Sequence, residues 1–374
     1  MVAAFEGGVN SASPWLFSRT FDLTVFGGSL VLSLALLLIG ARLGILEGDA
    51  PAWVWVLGVL GVDVAHVWST GWRVLWDAEE RKTWSTELIA IPIAAYVTLV
   101  ICHSISSAFF WTVLAYVAVF HFIRQQRGFV ALYARKCGPS AVWEQRLDAL
   151  AVYAGTVWPV VYWHAHLPRR FAWLIEGDFV RGTPQVVASL LFPLYLGIGF
   201  AYVFKEIRRS WRGAPVSAGK NLVMISTWSM WGLGLVVMNS DYAFTVTNIF
   251  IHGIPYLALI WAYGRHRSKT AATPRLRPFS VAGIPVFLGV VATLAWVEEW
   301  GWDRFVWHEQ PWLFPGPSFT VTAETLSLIV PLLALPQVTH YILDGFLWKS
   351  GPDNRTVAEM LGLPVKAASG PHAP

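Results

Sequence analysis

The sequence predicts an all-α, polytopic transmembrane helical bundle of about ten spans, with both termini cytoplasmic. Three observations carry that expectation. Hydrophobic residues make up 55% of the 374-residue chain and charged residues only 13%, with a mean hydropathy of +0.52, a balance suited to hydrocarbon rather than water. Apolar stretches of roughly 17–25 residues, the length a helix needs to cross a bilayer, recur from Leu23 to Trp348 with short polar joints. Basic residues also sort by side: Arg42, Arg169, Arg170, Arg181 and Arg304 fall outside, which leaves 22 of the 27 Lys and Arg inside.

The spans fall near 23–46, 52–76, 87–103, 107–133, 147–167, 184–205, 221–239, 242–264, 279–297 and 324–348. The first 22 residues lack a basic start, an apolar core and a small-residue cleavage site, so the first span is expected to serve as its own insertion signal. Between the third and fourth spans no Asp, Glu, Lys or Arg occurs from Leu88 to Ile123, and only the turn Ser104–Ser107 separates two helices. Segments this long and continuous do not suit barrel strands. Prolines interrupt several spans, at Pro92, Pro159, Pro193, Pro255, Pro285, Pro331 and Pro336, and each is expected to kink its helix or free a carbonyl one turn earlier.

Many of the 22 tryptophans lie near segment ends, where amphipathic rings favour the membrane interface. Residues 166–183 and 298–323 form the two longest outer connections, and the second is expected to fold over the outer mouth as a cap. A single integral-membrane domain (1–350) then leads to a polar cytoplasmic tail (351–374) with a short helix near Thr356–Leu361. No internal repeat is evident. The +4 charge reports basic inner loops facing anionic headgroups, with no nucleic-acid stripe. Cys102 and Cys137 fall on opposite sides and cannot pair, which removes both a disulfide and a thiolate cluster. The expected location is a cell membrane, the bacterial inner membrane.

Against this background four histidines stand out. His66, His121, His252 and His340 lie in four different spans, and helical rise places them roughly 22, 21, 16 and 24 Å from the outer ends, one layer in the inner half of the membrane. Ionisable groups at that depth cost several kcal/mol and are usually kept for function. Each has a polar companion three or four residues away on the same helix face: Asp63 with His66, Gln125 with His121, Asn248 with His252, Asp344 with His340. Imidazoles with carboxylates to offset a cation, and amides to orient the rings, are what a buried metal site needs. The bland reading of any one such histidine is an interhelical hydrogen bond. His164 and His166 form an HxH near the outer end of the fifth span, where a separate outer site with His103 or His308 is the alternative use. His266 and His372 are expected to be solvated.

Ligands without thiolate favour iron, with zinc or manganese as alternatives, and six ligands suffice for one metal or two. The expectation is a non-haem iron oxygenase, hydroxylase or desaturase acting on a lipid or isoprenoid that enters sideways between helices, supplied by an electron-donor protein. The HxxxH and HxxHH boxes of membrane desaturases and the CxxCH of attached haem are absent. The general plan, histidines spread over several helices of a bundle, resembles that of the Brp/Blh carotenoid-cleaving membrane dioxygenases, but no diagnostic motif matches residue by residue and no family assignment follows. Two rivals remain: a haem b electron carrier, which leaves Asp63 and Asp344 unexplained, and a proton-coupled transporter that uses His and Asp as a relay.

Overall fold

The computed structural model describes residues 12–270, 283–349 and 355–363; His372, the two termini and the start of the ninth predicted span lie outside the described residues. Among the described residues the chain is helical with no strand. Eight helices are long and apolar enough to cross a membrane: α1 (Arg19–Leu43), α2 (Ala52–Val74), α4 (Glu87–Ile105), α5 (Ser107–Cys137), α7 (Gln185–Trp211), α9 (Asp241–Lys269), α10 (Gly283–Trp307) and α11 (Ala323–Leu347). Two further helices occupy the remaining predicted spans, α6 (Val142–Ala165) and α8 (Ala218–Gly232), the latter continued by a π-helical turn, Leu233–Val237. Short helices α3 (Ala78–Thr83) and α12 (Arg355–Leu361) complete the set.

Local chemistry fixes the joints. Ser106 alone, in extended backbone, separates α4 from α5, and its hydroxyl caps α5 by accepting from the Phe109 amide. Asp77 caps α3 through the Glu79 and Glu80 amides and also binds Tyr263 and Arg267 near the end of α9. Burial would lift the Asp77 carboxyl, but the hydrogen bonds from Arg267 and Tyr263 outweigh it and hold the group below the usual carboxylate range. Pro285 lies in the first turn of α10, where a missing N–H costs no helical bond, so it does not kink the span. The expected outer cap is in part an extension of α10: Glu298, Glu299, Trp302 and Asp303 are helical, and the helix ends only at His308, in left-handed backbone.

Helix α9 is the axis of the bundle, with 89% of its apolar window buried, whereas α7 has 11% buried and turns Leu190, Phe200 and Phe204 outward. Helix α9 is also part of a closed ring in which it packs on α2, α2 on α11, α11 on α5 and α5 on α9. Those four helices carry the four histidines. Two of them contain a π-helical stretch just before the histidine, Trp55–Val64 before His66 and Thr245–Ile249 before His252. Such wide turns are uncommon and concentrate at functional sites.

Candidate metal centre

All four imidazoles are buried, the most exposed being His121 at 4%. They meet pairwise across the ring. His252 Nε2 lies 3.1 Å from His66 Nε2, and His340 Nε2 lies 3.2 Å from His121 Nε2. His66 joins the pairs, its ring centroid 4.9 Å from that of His340. Two ligand groups result, each with donor atoms within 4.8 Å of one another: His66, His121 and His340, and Asp63, His66 and His252.

A directional chain of hydrogen bonds sets one tautomer. Tyr256 donates to Asp344 Oδ1 at 2.6 Å, Thr70 Oγ1 lies 2.8 Å from the Tyr256 hydroxyl, and His340 Nδ1 lies 2.7 Å from Thr70 Oγ1. With a carboxylate at Asp344 the tyrosine proton is committed, so Thr70 must donate to Tyr256 and accept from His340 Nδ1–H. The Nε2 lone pair of His340 is thereby left facing the layer, the form in which imidazole binds a metal. The other carboxylates stand back: Asp344 Oδ2 is 3.8 Å from His340 Nε2, and Asp63 Oδ1 is 3.7 Å from His66 Nδ1. Both separations exceed a hydrogen bond. The Nδ1 atoms of His66 and His252 are buried and without a hydrogen-bond partner.

The amides do not sit where the spacing places them. Gln125 donates 2.8 Å to the backbone carbonyl of His252 rather than to the His121 ring, and Gln126 donates 3.3 Å to the Ile251 carbonyl. Ile251 precedes Pro255 by four residues, so its carbonyl has lost its helical donor, and Gln126 takes that place. Asn248 bonds Thr247 and the Phe244 carbonyl, with its own Oδ1 unpartnered. It lies in the π-helical turn, where more residues per turn rotate it off the His252 face.

The outer histidines are spent elsewhere. His164 is bonded through both nitrogens, to Tyr116 and to the Val160 carbonyl, and His166 through Nδ1 to the Tyr162 carbonyl. Neither belongs to either ligand group. His266, expected in solvent, is half-buried near the end of α9.

Four residues near the layer escaped the sequence reading. Thr70 and Tyr256 lie four residues after His66 and His252, so helical spacing carried the signal. Tyr341, stacked on His121 at 4.4 Å, is next to His340 in sequence, and Glu298, which accepts from Trp68 at 2.6 Å, has no local signal at all. No protein-family model, no curated protein and no solved structure matches this chain.

Proposed function

We propose that the chain is a membrane-embedded metalloprotein in which His66, His121, His252 and His340, with Asp63 and Asp344, hold one or two first-row metal ions, iron before zinc or manganese. On that reading it is a non-haem oxidoreductase, an oxygenase, hydroxylase or desaturase, acting on a lipid or isoprenoid with electrons from a donor protein. The observation that carries the reading is the pair of Nε2 to Nε2 separations, 3.1 and 3.2 Å, in a buried layer. Two imidazoles on one ion at about 2.0–2.1 Å stand roughly 3–3.4 Å apart along the edge of an octahedron or tetrahedron. Both pairs have the spacing of adjacent ligands.

The donor set fits a hard or borderline divalent ion, since it offers imidazole and carboxylate without thiolate. Among the described residues neither Asp63 nor Asp344 forms an ion pair with Lys or Arg, and Arg73, on the helix of His66, is engaged by Glu80. A divalent cation would offset their charge. Bound iron supplies redox chemistry with open coordination positions. The chain's own part is to fix the ligands, through Thr70 and Tyr256 at His340, and to pack Phe122 and Tyr341 against the rings.

The donor set favours a non-haem ion over haem b, because a bis-His haem gives Asp63 and Asp344 no part to play. The second reading, a proton relay in a transporter, draws on the same contacts, which are also those of N–H···N hydrogen bonds. Elemental analysis of detergent-purified protein separates the two. The expected result is about one or two equivalents of a first-row metal without a Soret band. Protein that carries no metal and takes up neither added Fe(II) nor Zn(II) overturns the metal reading and leaves the relay.

A further inference from the structure

Two cavities meet along one face of α5. The larger, about 1010 Å³, reaches His121, Tyr256 and Asp344 at its deep end and is walled by Val117, Phe120, Leu132, Ile342 and Phe346. Its size matches the upper part of the roughly 300–1,000 Å³ range of small-molecule sites. Phe120, Ile342 and Phe346 are exposed, so this cavity is open sideways, toward where lipid would lie. The second, about 680 Å³, lies at the Cys137 end of α5 and has mixed walls, with Lys136, Ser140, Gln145 and Asp148 among apolar residues in its lining. Arg127 and Arg135 line both cavities and stand at their junction. The larger cavity adds Arg124 and Lys349.

From this juxtaposition we infer that the chain binds a single-chain anionic amphiphile, with its carboxylate or phosphate head at Arg127 and Arg135 and its hydrocarbon chain running through the larger cavity to His121. The inference names the substrate class of the metal centre and rests on that reading. Charge complementarity commits the site to an anionic head, because Arg124, Arg127, Arg135 and Lys349 line the larger cavity against Asp344 at its far end, and the one acid of the adjoining cavity, Asp148, is already paired with Lys205 and Lys220. Guanidinium pairs bind carboxylate and phosphate with two parallel hydrogen bonds each. The walls between are apolar and take the chain. Arg127 and Arg135 follow His121 by six and fourteen residues, roughly 9 and 21 Å along the helix. The head therefore sits well away from the imidazoles, and a carbon in the middle of the chain, rather than the carbon next to the head, meets the layer. A neutral polyene has no use for this row of cations.

The test is equilibrium binding to the full-length protein in neutral detergent, followed by energy transfer from tryptophan to a fluorescent C18 polyene acid, its methyl ester and its alcohol. The acid is expected to bind at least about tenfold more tightly than the ester or alcohol, the value of one charge-assisted contact. The double variant Arg127→Gln/Arg135→Gln should lose that preference while binding the ester as before, which a merely unfolded variant would not do. Competition by stearate against a polyprenyl phosphate identifies which head is preferred. Equal affinity for acid and ester, an unchanged preference in the double variant, or equal competition by phosphatidylglycerol overturns the inference. The same titration on His121→Ala keeps the two proposals apart. Arginine-dependent binding in a protein that never holds metal defeats the metal centre alone, and a metal-loaded protein without acid preference defeats the amphiphile alone.

Discussion

Among the polar regions buried in the described residues, two solve the same problem in opposite ways. At one, Lys205 and Lys220 are each held by both Asp148 and Glu206, with separations of 3.2 Å for Lys220 to Asp148 and 2.7 Å to Glu206, and Asn221 and Tyr202 complete the set. Two cations meet two anions, and each charge finds an opposite. At the other, four imidazoles and two carboxylates gather, and among the described residues no Lys or Arg forms an ion pair with either carboxylate. Buried charges that are fully paired are explained by the fold, whereas carboxylates without a basic partner beside facing imidazole Nε2 atoms form a donor set that a bound cation would complete. The comparison separates a structural network from a candidate binding site within one chain.

The largest effect that tests this contrast comes from exchanging the roles. Each of His66→Ala, His121→Ala, His252→Ala and His340→Ala is expected to abolish stoichiometric metal while the protein still inserts and remains folded. Asp148→Asn should do the reverse: metal content stays, and stability falls by about 3–5 kcal/mol, because the change leaves two lysines short of a partner in a buried site. Metal per folded protein and thermal unfolding in detergent read the two outcomes. If three of the four histidine variants keep their metal, the layer is a hydrogen-bonded packing feature.

Much of this arrangement is legible in the sequence, for reasons that differ by region. Hydropathy finds the helices, eight of them long and apolar enough to cross a membrane against ten spans expected, and Ser106 marks the α4–α5 break that an uncharged stretch otherwise hides. The common depth of the histidines is legible because helical rise is uniform, and the ring of α2, α5, α9 and α11 turns equal depth into contact. The companions are less legible. Asn248 and Gln125 were placed by α-helical spacing, but a π-helical turn rotates Asn248 onto the Phe244 carbonyl and Gln125 bonds the His252 carbonyl; the π-helical turn has no local sequence signature, whereas Pro255 marks the Ile251 carbonyl that Gln126 takes. Glu298 reaches Trp68 from another helix, a contact set by tertiary packing alone.

A middle-sized effect sharpens the contrast at a single hydroxyl. Thr70→Val keeps the shape but breaks the chain from His340 through Tyr256 to Asp344, so the His340 tautomer is no longer set. Metal affinity should fall about 10–100-fold, the usual effect of removing a residue that orients a ligand. Thr70→Ser, which retains the hydroxyl, should restore most of it. Equal affinity in wild type and Thr70→Val, measured by chelator competition, would remove the tautomer argument while leaving the ligands in place.

The smallest effect is expected at His164, and its smallness is informative. That ring is already satisfied in a directional chain: the Val180 amide donates to the Tyr116 hydroxyl at 3.3 Å, Tyr116 donates to His164 Nε2 at 2.8 Å, and Nδ1–H donates to the Val160 carbonyl at 2.7 Å. No lone pair remains for an ion. His164→Ala therefore removes hydrogen bonds and packing but no ligand, and should cost about 1 kcal/mol of stability with metal content unchanged. Metal loss in this variant equal to that of His66→Ala would mean that an imidazole with both nitrogens bonded serves the ion as well as one without. The contrast between satisfied and unsatisfied histidines would then carry no information about ligation, and the outer HxH pair would have to be treated as part of the centre.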